Sequence, residues 1–501
     1  MKTQDPGDLI TVFAAVRDSD RAAAPAVATL YRRLRDLIDS GGITAGRKLP
    51  STRTLSREAH LSRTTVEDAY SRLEAEGYIV RRRGSGSFVA RNANRTSRSR
   101  GHGDSPTSAD VAYSIGASGS ALVSASSLIG PVPSSADITP CTTEEDLIPS
   151  HALADLFRSV VRESPVRVFR DGDAMGYGPL RAAVARLLAS ERGLHCTEHN
   201  VMILNGTQHA MDLCARIFVD PDDTVAIENP CYPNAAAVFR AVGAEIVPVP
   251  VDRDGMSVDA LRSAARRPKL IYTTPSHQFP LGVTMTAARR RELAQYAADA
   301  GAIVLEDDYD SEFRYEGDPA LPSITGTDAV ATGATAVFAG TFNKVLFNTL
   351  RLSYLVIPIG AVELFQRARA VTDSFSATLP QAVLARFIDS GGYAAHLRTV
   401  RRIYREKRDA LRRALDALKP YGVTYGPAVS GFRVAVHLPE HVRSGAELDE
   451  NEICREICAR SIDRYYLGDR AAGPGLVVGY GRLDEARIDA LSQYLRSVAT
   501  R

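Results

Sequence analysis

Residues 339–354 read AGTFNKVLFNTLRLSY: a lone lysine, Lys344, among hydroxyls, amides and small side chains, with Arg351 seven places on. The stretch ends one β-branched and apolar run, AVFAGTF, and leads into another, LSYLVIP. Upstream the same kind of run recurs as VMILNG, TVAIENP, EIVPVPV, KLIYTTPS and AIVLEDDY, mostly followed by helical periodicity. Strands alternating with helices predict a largely parallel α/β sheet within residues 138–360. From 361 the pattern changes. An amphipathic helix over 393–418, short strands in FRVAVHL and GLVVGYG, and a closing helix over 484–498 predict a smaller α+β domain, 361–501.

A chain of 501 residues is too long for one core. Two more regions precede the α/β body. Residues 91–137 are rich in Arg, Ser, Gly, Ala and Pro and read as a flexible linker. Residues 25–90 alternate short helical patterns with tight turns. Net charge is only +2, yet residues 31–91 carry 13 Lys/Arg against 7 Asp/Glu. A basic module on a mildly acidic remainder points to an anionic partner for that module. The six cysteines, 141, 196, 214, 231, 454 and 458, include no CxxC pair and read as free thiols in a reducing compartment, with no metal site. No apolar run reaches membrane-spanning length and the N-terminus lacks a secretion pattern, so the expected location is cytoplasmic.

In the basic module, VATLYRRLRDLIDSG (27–41) has Leu30, Leu34, Leu37 and Ile38 on one helical face. Two further helices follow, capped by Ser51 and Ser62, and Gly77 ends the second. The helix beginning at Arg63 presents Arg63, Thr64 and Thr65 at its first turn, where a helix-turn-helix meets base edges. VRRRGSGSFVA then reads as strand, tight turn and strand: a wing with Arg81, Arg82 and Arg83, which suit phosphates or the minor groove. The stretch LPSTRTLSREAHLSRTTVEDAYSRLEAEGYIVRRRGSGSFV resembles the winged helix-turn-helix of the GntR family almost position by position. That resemblance implies operator DNA as partner, contacted by Arg53, Arg63, Thr64, Thr65 and Gly86.

The lysine has its own chemistry. A lysine amine forms a Schiff base with an aldehyde cofactor such as pyridoxal 5'-phosphate. That cofactor also needs a carboxylate at its ring nitrogen, a phosphate cradle and a ring against its face. Asp307 and Tyr309, two apart at the end of AIVLEDDY, can share one face. Asp307 suits the ring nitrogen and Tyr309 the phenolic oxygen. In ILNGTQHAMDL the amides of Gly206, Thr207 and Gln208 open a helix, a natural phosphate site. Thr341 and Arg351 bracket Lys344, and Tyr232 in ENPCYPN can stack on the cofactor.

The order GTQ, ENPCYP, EDDYDSEF, GTFNK and Arg351 resembles the large domain of fold-type I aminotransferases. With the head, the whole chain resembles the MocR/GabR family of transcriptional regulators, as do TPSHQFPLGVTMT (274–286) and HLRTVRRIYREKRDAL (396–411). The resemblance implies a head-to-tail homodimer, the cofactor on Lys344, and an amine or amino-acid effector that displaces Lys344. An active aminotransferase carrying a DNA-binding head is the alternative.

Four positions depart from the aminotransferase pattern. Asp171 stands where a tyrosine is lent by the partner subunit. Phe279 stands where an asparagine faces the cofactor's ring oxygen. Asn234 stands where the γ-aminobutyrate-responsive regulator has arginine. The C-terminal carboxylate-binding arginine is missing before LVVGY, with Arg470 displaced nearby. Arg433, in SGFRVAVHL, is a replacement anchor on this reading, the competing expectation being an exposed strand arginine. The losses also fit a regulator that senses pyridoxal phosphate itself.

Overall fold

The computed structural model describes residues 26–82, 84–90, 115–130, 143–163, 165–315, 321–442, 448, 452–457, 459–468 and 473–500. Arg83, Cys141, Cys458, Arg470 and most of the expected linker lie outside the described residues. The chain divides into two compact units, Met1–Ser114 and Ile115–Arg501.

In the first unit, helices Ala26–Asp39, Thr52–Glu58 and Arg63–Ala75 precede an antiparallel pair, β1 (Ile79–Arg82) and β2 (Gly86–Val89). Leu30, Leu34 and Ile38 bury one face of the first helix against Val66, Ala69, Tyr70 and Leu73 of the third. The Tyr70 hydroxyl donates to the Pro50 carbonyl, 2.9 Å away, which ties the third helix to the turn before the second.

The second unit holds an eight-stranded mixed sheet: β3 (Val201–Leu204), β4 (Thr224–Asn229), β5 (Glu245–Asp252), β6 (Gly255–Met256), β7 (Leu270–Thr273), β8 (Ile303–Asp308), β9 (Thr335–Thr341) and β10 (Ser353–Val356). Their order is β3-β10-β9-β8-β7-β4-β5-β6. β9, β8, β7, β4 and β5 run parallel, and β10 is antiparallel to both its neighbours. The strands are apolar at nearly every position because both faces are covered. Ile227, Tyr272, Leu305 and Val337 pack toward helices Thr207–Phe218 and Pro233–Ala241, while Ala226, Ile271, Val304 and Ala336 pack toward helix Ala287–Ala300. A second sheet, β11 (Thr424–Tyr425), β12 (Arg433–His437), β13 (Arg460–Ser461) and β14 (Gly475–Gly479), is antiparallel in the order β11-β12-β14-β13. Helices Gly392–Asp416 and Glu485–Ala499 cover it.

The linker expectation needs correction at 117–128. Those residues form helix Ala117–Ala125 and a short 3₁₀ turn that pack on helix Pro233–Ala241, with Ala125 buried. Small residues on both helices, ASGSALVSA against PNAAAVFRA, allow close approach without bulky apolar side chains.

Candidate functional site

The carboxyl ends of β3, β4, β7, β8 and β9 supply most of the sequence-predicted residues of the body, as ligand sites in open α/β sheets do. Asp307 follows Leu305 by one strand period and so shares its face with Tyr272 on the neighbouring strand. The buried Tyr272 hydroxyl donates to Asp307 Oδ2 at 2.7 Å. Asp307 Oδ1 is buried and has no hydrogen-bond partner among the described residues. Burial pushes the Asp307 carboxyl up to about 7, with Asp308 and Asp310 adding to the rise and the Tyr272 hydrogen bond and Lys344 opposing it. An orphaned buried oxygen of this kind calls for a donor from a bound group.

Lys344 lies in the loop that joins β9 to its antiparallel neighbour β10. The loop is stitched by its own polar groups. Thr341 Oγ1 donates to the Leu352 carbonyl at 3.3 Å and accepts from the Asn343 amide at 3.2 Å. Asn343 Oδ1 accepts from the Leu352 amide at 3.3 Å. Lys344 is half-buried and its Nζ donates to Asn348 Oδ1 at 3.2 Å. Its charge reaches both Asp307 and Asp310.

Gly206 caps helix Thr207–Phe218 with φ +102°, and a Cβ there would meet the Arg351 guanidinium at 2.9 Å. Only glycine combines that backbone with such an approach. Thr207 and Gln208 open the helix, where amides lack intrahelical partners and face anions favourably. Gln208 Oε1 accepts from Asn234 Nδ2 at 3.1 Å, which joins this helix start to that of Pro233–Ala241. Beneath it lies a network that the sequence reading missed. Asn205 Nδ2 donates to Asp373 at 2.8 Å, and Arg369, fully buried, donates to Asp373 at 3.1 Å and to the Ile203 carbonyl.

Three aromatic residues surround Phe279 edge-on: Tyr232 at 5.5 Å, Tyr309 at 6.1 Å and Tyr465 at 5.1 Å between ring centres. Tyr309 donates to the His277 carbonyl, and Arg433 donates to the Tyr309 hydroxyl. The expectation of an exposed strand arginine fails, because Arg433 is fully buried. As a carboxylate anchor it is already engaged, since Asp310 stands 3.5 Å away. Asp171 is exposed on this chain, and the structure does not bring it into the aromatic cluster.

In the other unit Arg53, Arg63, Thr64 and Gly86 are exposed, and Thr65 is half-buried. Ser62 Oγ accepts from the Thr65 amide at 3.0 Å and lies within hydrogen-bond distance of both threonine hydroxyls, which fixes the helix start. Arg81 differs from its expected role. It turns inward to Glu67 and to Glu74, the latter at 3.1 Å. Arg82 is exposed with its guanidinium 5.3 Å from the Phe88 ring centre, and Lys48, not singled out from sequence, approaches the same ring at 5.8 Å.

Residues 151–463 match the family of class I and II aminotransferases, and residues 26–89 match the bacterial regulatory proteins of the gntR family. The chain is 35% identical over 399 residues to a probable rhizopine catabolism regulatory protein, MocR, of Rhizobium meliloti, covering 78% of this chain and 76% of that one. The chain belongs to the MocR/GabR-type family of transcriptional regulators. The HTH-type pyridoxine biosynthesis transcriptional regulator PdxR of Corynebacterium glutamicum is 27% identical to this regulator over 468 residues, 91% of this chain and 92% of that one. Among solved structures, the body resembles LysN, the α-aminoadipate aminotransferase of Thermus thermophilus, with 28% identity and a TM-score of 0.63 over 72% of this chain and 90% of that one. That structure holds N-(5'-phosphopyridoxyl)-L-leucine. The regulator therefore couples a gntR-type DNA-binding head to an aminotransferase-like body of fold type I, and that body implies pyridoxal 5'-phosphate as cofactor. The residues present fit this group: an orphaned Asp307 oxygen, a lysine facing the acids, and a side-chain-free glycine beside Arg351 at a helix start. Among the described residues no helix is long and apolar enough to cross a membrane, and no group of three or more His, Cys, Asp or Glu is placed to hold a metal ion.

Proposed function

We propose that the body holds pyridoxal phosphate on Lys344 and uses it to sense a small amine or amino acid, or the cofactor itself, changing how a homodimer engages its operator in the cytoplasm. The single observation that carries this reading is the buried Asp307 Oδ1, which has no partner among the described residues and lies within electrostatic reach of Lys344. In this reading Asp307 holds the proton on the ring nitrogen, and Tyr272 fixes the carboxylate that does so. The amides of Gly206, Thr207 and Gln208, with Arg351, cradle the phosphate; Thr341 shapes the loop between them. Tyr232 lies against the ring, and Tyr309 donates to the phenolic oxygen. When bound, the cofactor supplies an electrophilic carbon to which a primary amine adds. Lys344 contributes the amine that such an effector displaces.

Among the described residues the candidate effector positions bring few cations: Asn234 and Phe279 carry none, and Arg433 stands beside Asp310. This favours an amine without a carboxylate, or the cofactor alone, over a dicarboxylic amino acid. On the DNA side, Arg53, Arg63, Thr64, Thr65 and Gly86 form the contact surface. The test is borohydride reduction of the purified protein after loading. The expected result is loss of the visible band and a cofactor-labelled peptide containing Lys344, absent in Lys344→Ala. Label elsewhere, or none, would overturn the reading.

A further inference from the structure

Phe279 leaves a gap in the chemistry of the site, because a phenyl ring donates no hydrogen bond to an oxygen in its plane. Arg433 stands over that ring. It enters from β12 of the smaller sheet, opposite Gly479, and its guanidinium carbon lies 4.5 Å from the Phe279 ring centre and 4.8 Å from that of Tyr309. It donates to the Tyr309 hydroxyl and sits 3.5 Å from Asp310 Oδ2. On the other side, His277 Nδ1 meets both Asp310 oxygens at 2.9 Å. Burial, with Arg433 adding, holds the His277 imidazole well below its ordinary range, so the ring beside Asp310 is neutral, while burial pushes the Asp310 carboxyl well up. The cluster leaves no room beside it. At Gly431, with φ +71°, a Cβ would run into the imidazole and lie 2.8 Å from Asp310.

A guanidinium only donates, whereas a phenol has one proton and accepts as well. With Arg433 donating into its oxygen, Tyr309 must point its own proton elsewhere. In the structure that proton goes to the His277 carbonyl, and it has to turn from there to meet the cofactor's oxygen. The cation also polarises the hydroxyl and makes it a stronger donor. We propose that Arg433 is a positioning residue: acting through Tyr309, it gives the cofactor's phenolic oxygen the donor strength that Phe279 cannot. This rests on the reading that Tyr309 faces that oxygen. It also explains why a buried arginine lies in this site without being free to clamp a carboxylate.

The test is a pH titration of the visible absorbance of the full-length, cofactor-loaded protein. Among the described residues, the charged or titratable groups that line or act on the site include Lys344 and Arg351 from the β9–β10 loop, Asp307, Asp308, Tyr309 and Asp310 from β8 and its end, Glu228 and Tyr232 from β4 and the loop after it, Tyr272 and His277 from β7 and the loop after it, Arg433 from β12, and Tyr465. A strong donor and a cation near the phenolic oxygen favour its ionised form, so the midpoint is low when both are present. Arg433→Gln is expected to raise the midpoint by about one unit. Arg433→Lys should restore at least half of that shift. In a Tyr309→Phe background, Arg433→Gln should add almost nothing, since the effect runs through that hydroxyl. If Arg433→Gln does not fold because Asp310 is stranded, the double variant Arg433→Met, Asp310→Asn removes both charges and should show the same rise. An unchanged midpoint in the arginine variants, with a shift in Tyr309→Phe, would overturn the proposal and leave the cofactor reading intact. A full shift from Arg433→Gln without Tyr309 would also overturn it. If neither residue moves the midpoint, the placement of Tyr309 fails too.

Discussion

The side chains matched to DNA contact stand in water, whereas those matched to the cofactor are mostly buried. Arg53, Arg63 and Thr64 are exposed; Asp307, Tyr309 and Thr341 are each less than a tenth exposed. The contrast follows from the ligands. A polyanion is met across a broad wet surface, where charges need little support and their contribution is set by salt. A small cofactor is met by a few groups taken out of water, and each of these needs a partner or carries a cost. Mutations in the two units should therefore fail differently: graded loss of affinity in the head, coupled loss of stability and binding in the body.

The largest effect belongs to Asp307. Its carboxyl is shifted from 3.8 to about 7 by burial, so without the cofactor the folded state binds its proton more tightly than the unfolded state. Stability from this group is full below about pH 4 and is lost as pH rises through about 7. The shift of roughly three units corresponds to about 4 kcal/mol. Chemical denaturation of the cofactor-free protein should show a fall of at least that order between pH 4 and 7, and Asp307→Asn should remove about that much of it while weakening cofactor retention; Glu228, Glu306, Asp310 and Glu312, whose carboxyls burial also pushes up, carry the rest. A flat profile in the unsubstituted protein would break the contrast at its strongest point.

Next comes Arg63. If it reads a guanine, Arg63→Ala should weaken operator binding by about 1–3 kcal/mol and leave the cofactor spectrum unchanged. A gel-shift titration at fixed salt measures it; equal binding would mean another residue reads the base. Ser62→Ala removes the cap bonded to the Thr65 amide and should cost about 1 kcal/mol in thermal unfolding of the head.

How well each region could be read in advance also differs. The head was legible because its signals are local. Ser51 and Ser62 cap their helices as expected, and the wing turn falls on its Gly-Ser-Gly. In the body, the strands and the order of GTQ, EDDY and GTFNK were legible for the same reason. Their partners were not. Tyr272 reaches Asp307 from a strand 35 residues upstream, and Arg433 reaches Tyr309 across 124 residues and two sheets. Strand register could have suggested Tyr272, since KLIYTT and AIVLEDDY lie side by side in parallel. Nothing local marks Arg433 as buried, because its cost of burial is met mainly by Asp310 and the faces of Phe279 and Tyr309, all distant in sequence. The helix at 117–125 escaped because composition reads small residues as linker, while packing against an alanine-rich helix needs no others.

The smallest expected effect tests the head against its own sequence. Arg81 and Arg82 are adjacent and chemically identical, yet the strand turns them to opposite faces. Arg81 is held by Glu67 and Glu74, and also lies 3.1 Å from Ser71 Oγ, so its charge is largely cancelled by the helix it packs on. Arg82 lies over Phe88 with its guanidinium in solvent. Each phosphate neutralised by a cation steepens the dependence of log affinity on log salt by about 0.9. Arg82→Ala should therefore flatten that slope by about one, whereas Arg81→Ala should leave it unchanged and cost at most about 1 kcal/mol of head stability. Operator titrations at several salt concentrations separate the two. If Arg81→Ala flattens the slope as much as Arg82→Ala does, then Arg81 leaves its glutamates on DNA, and the head, like the body, holds a paired charge in reserve for its ligand.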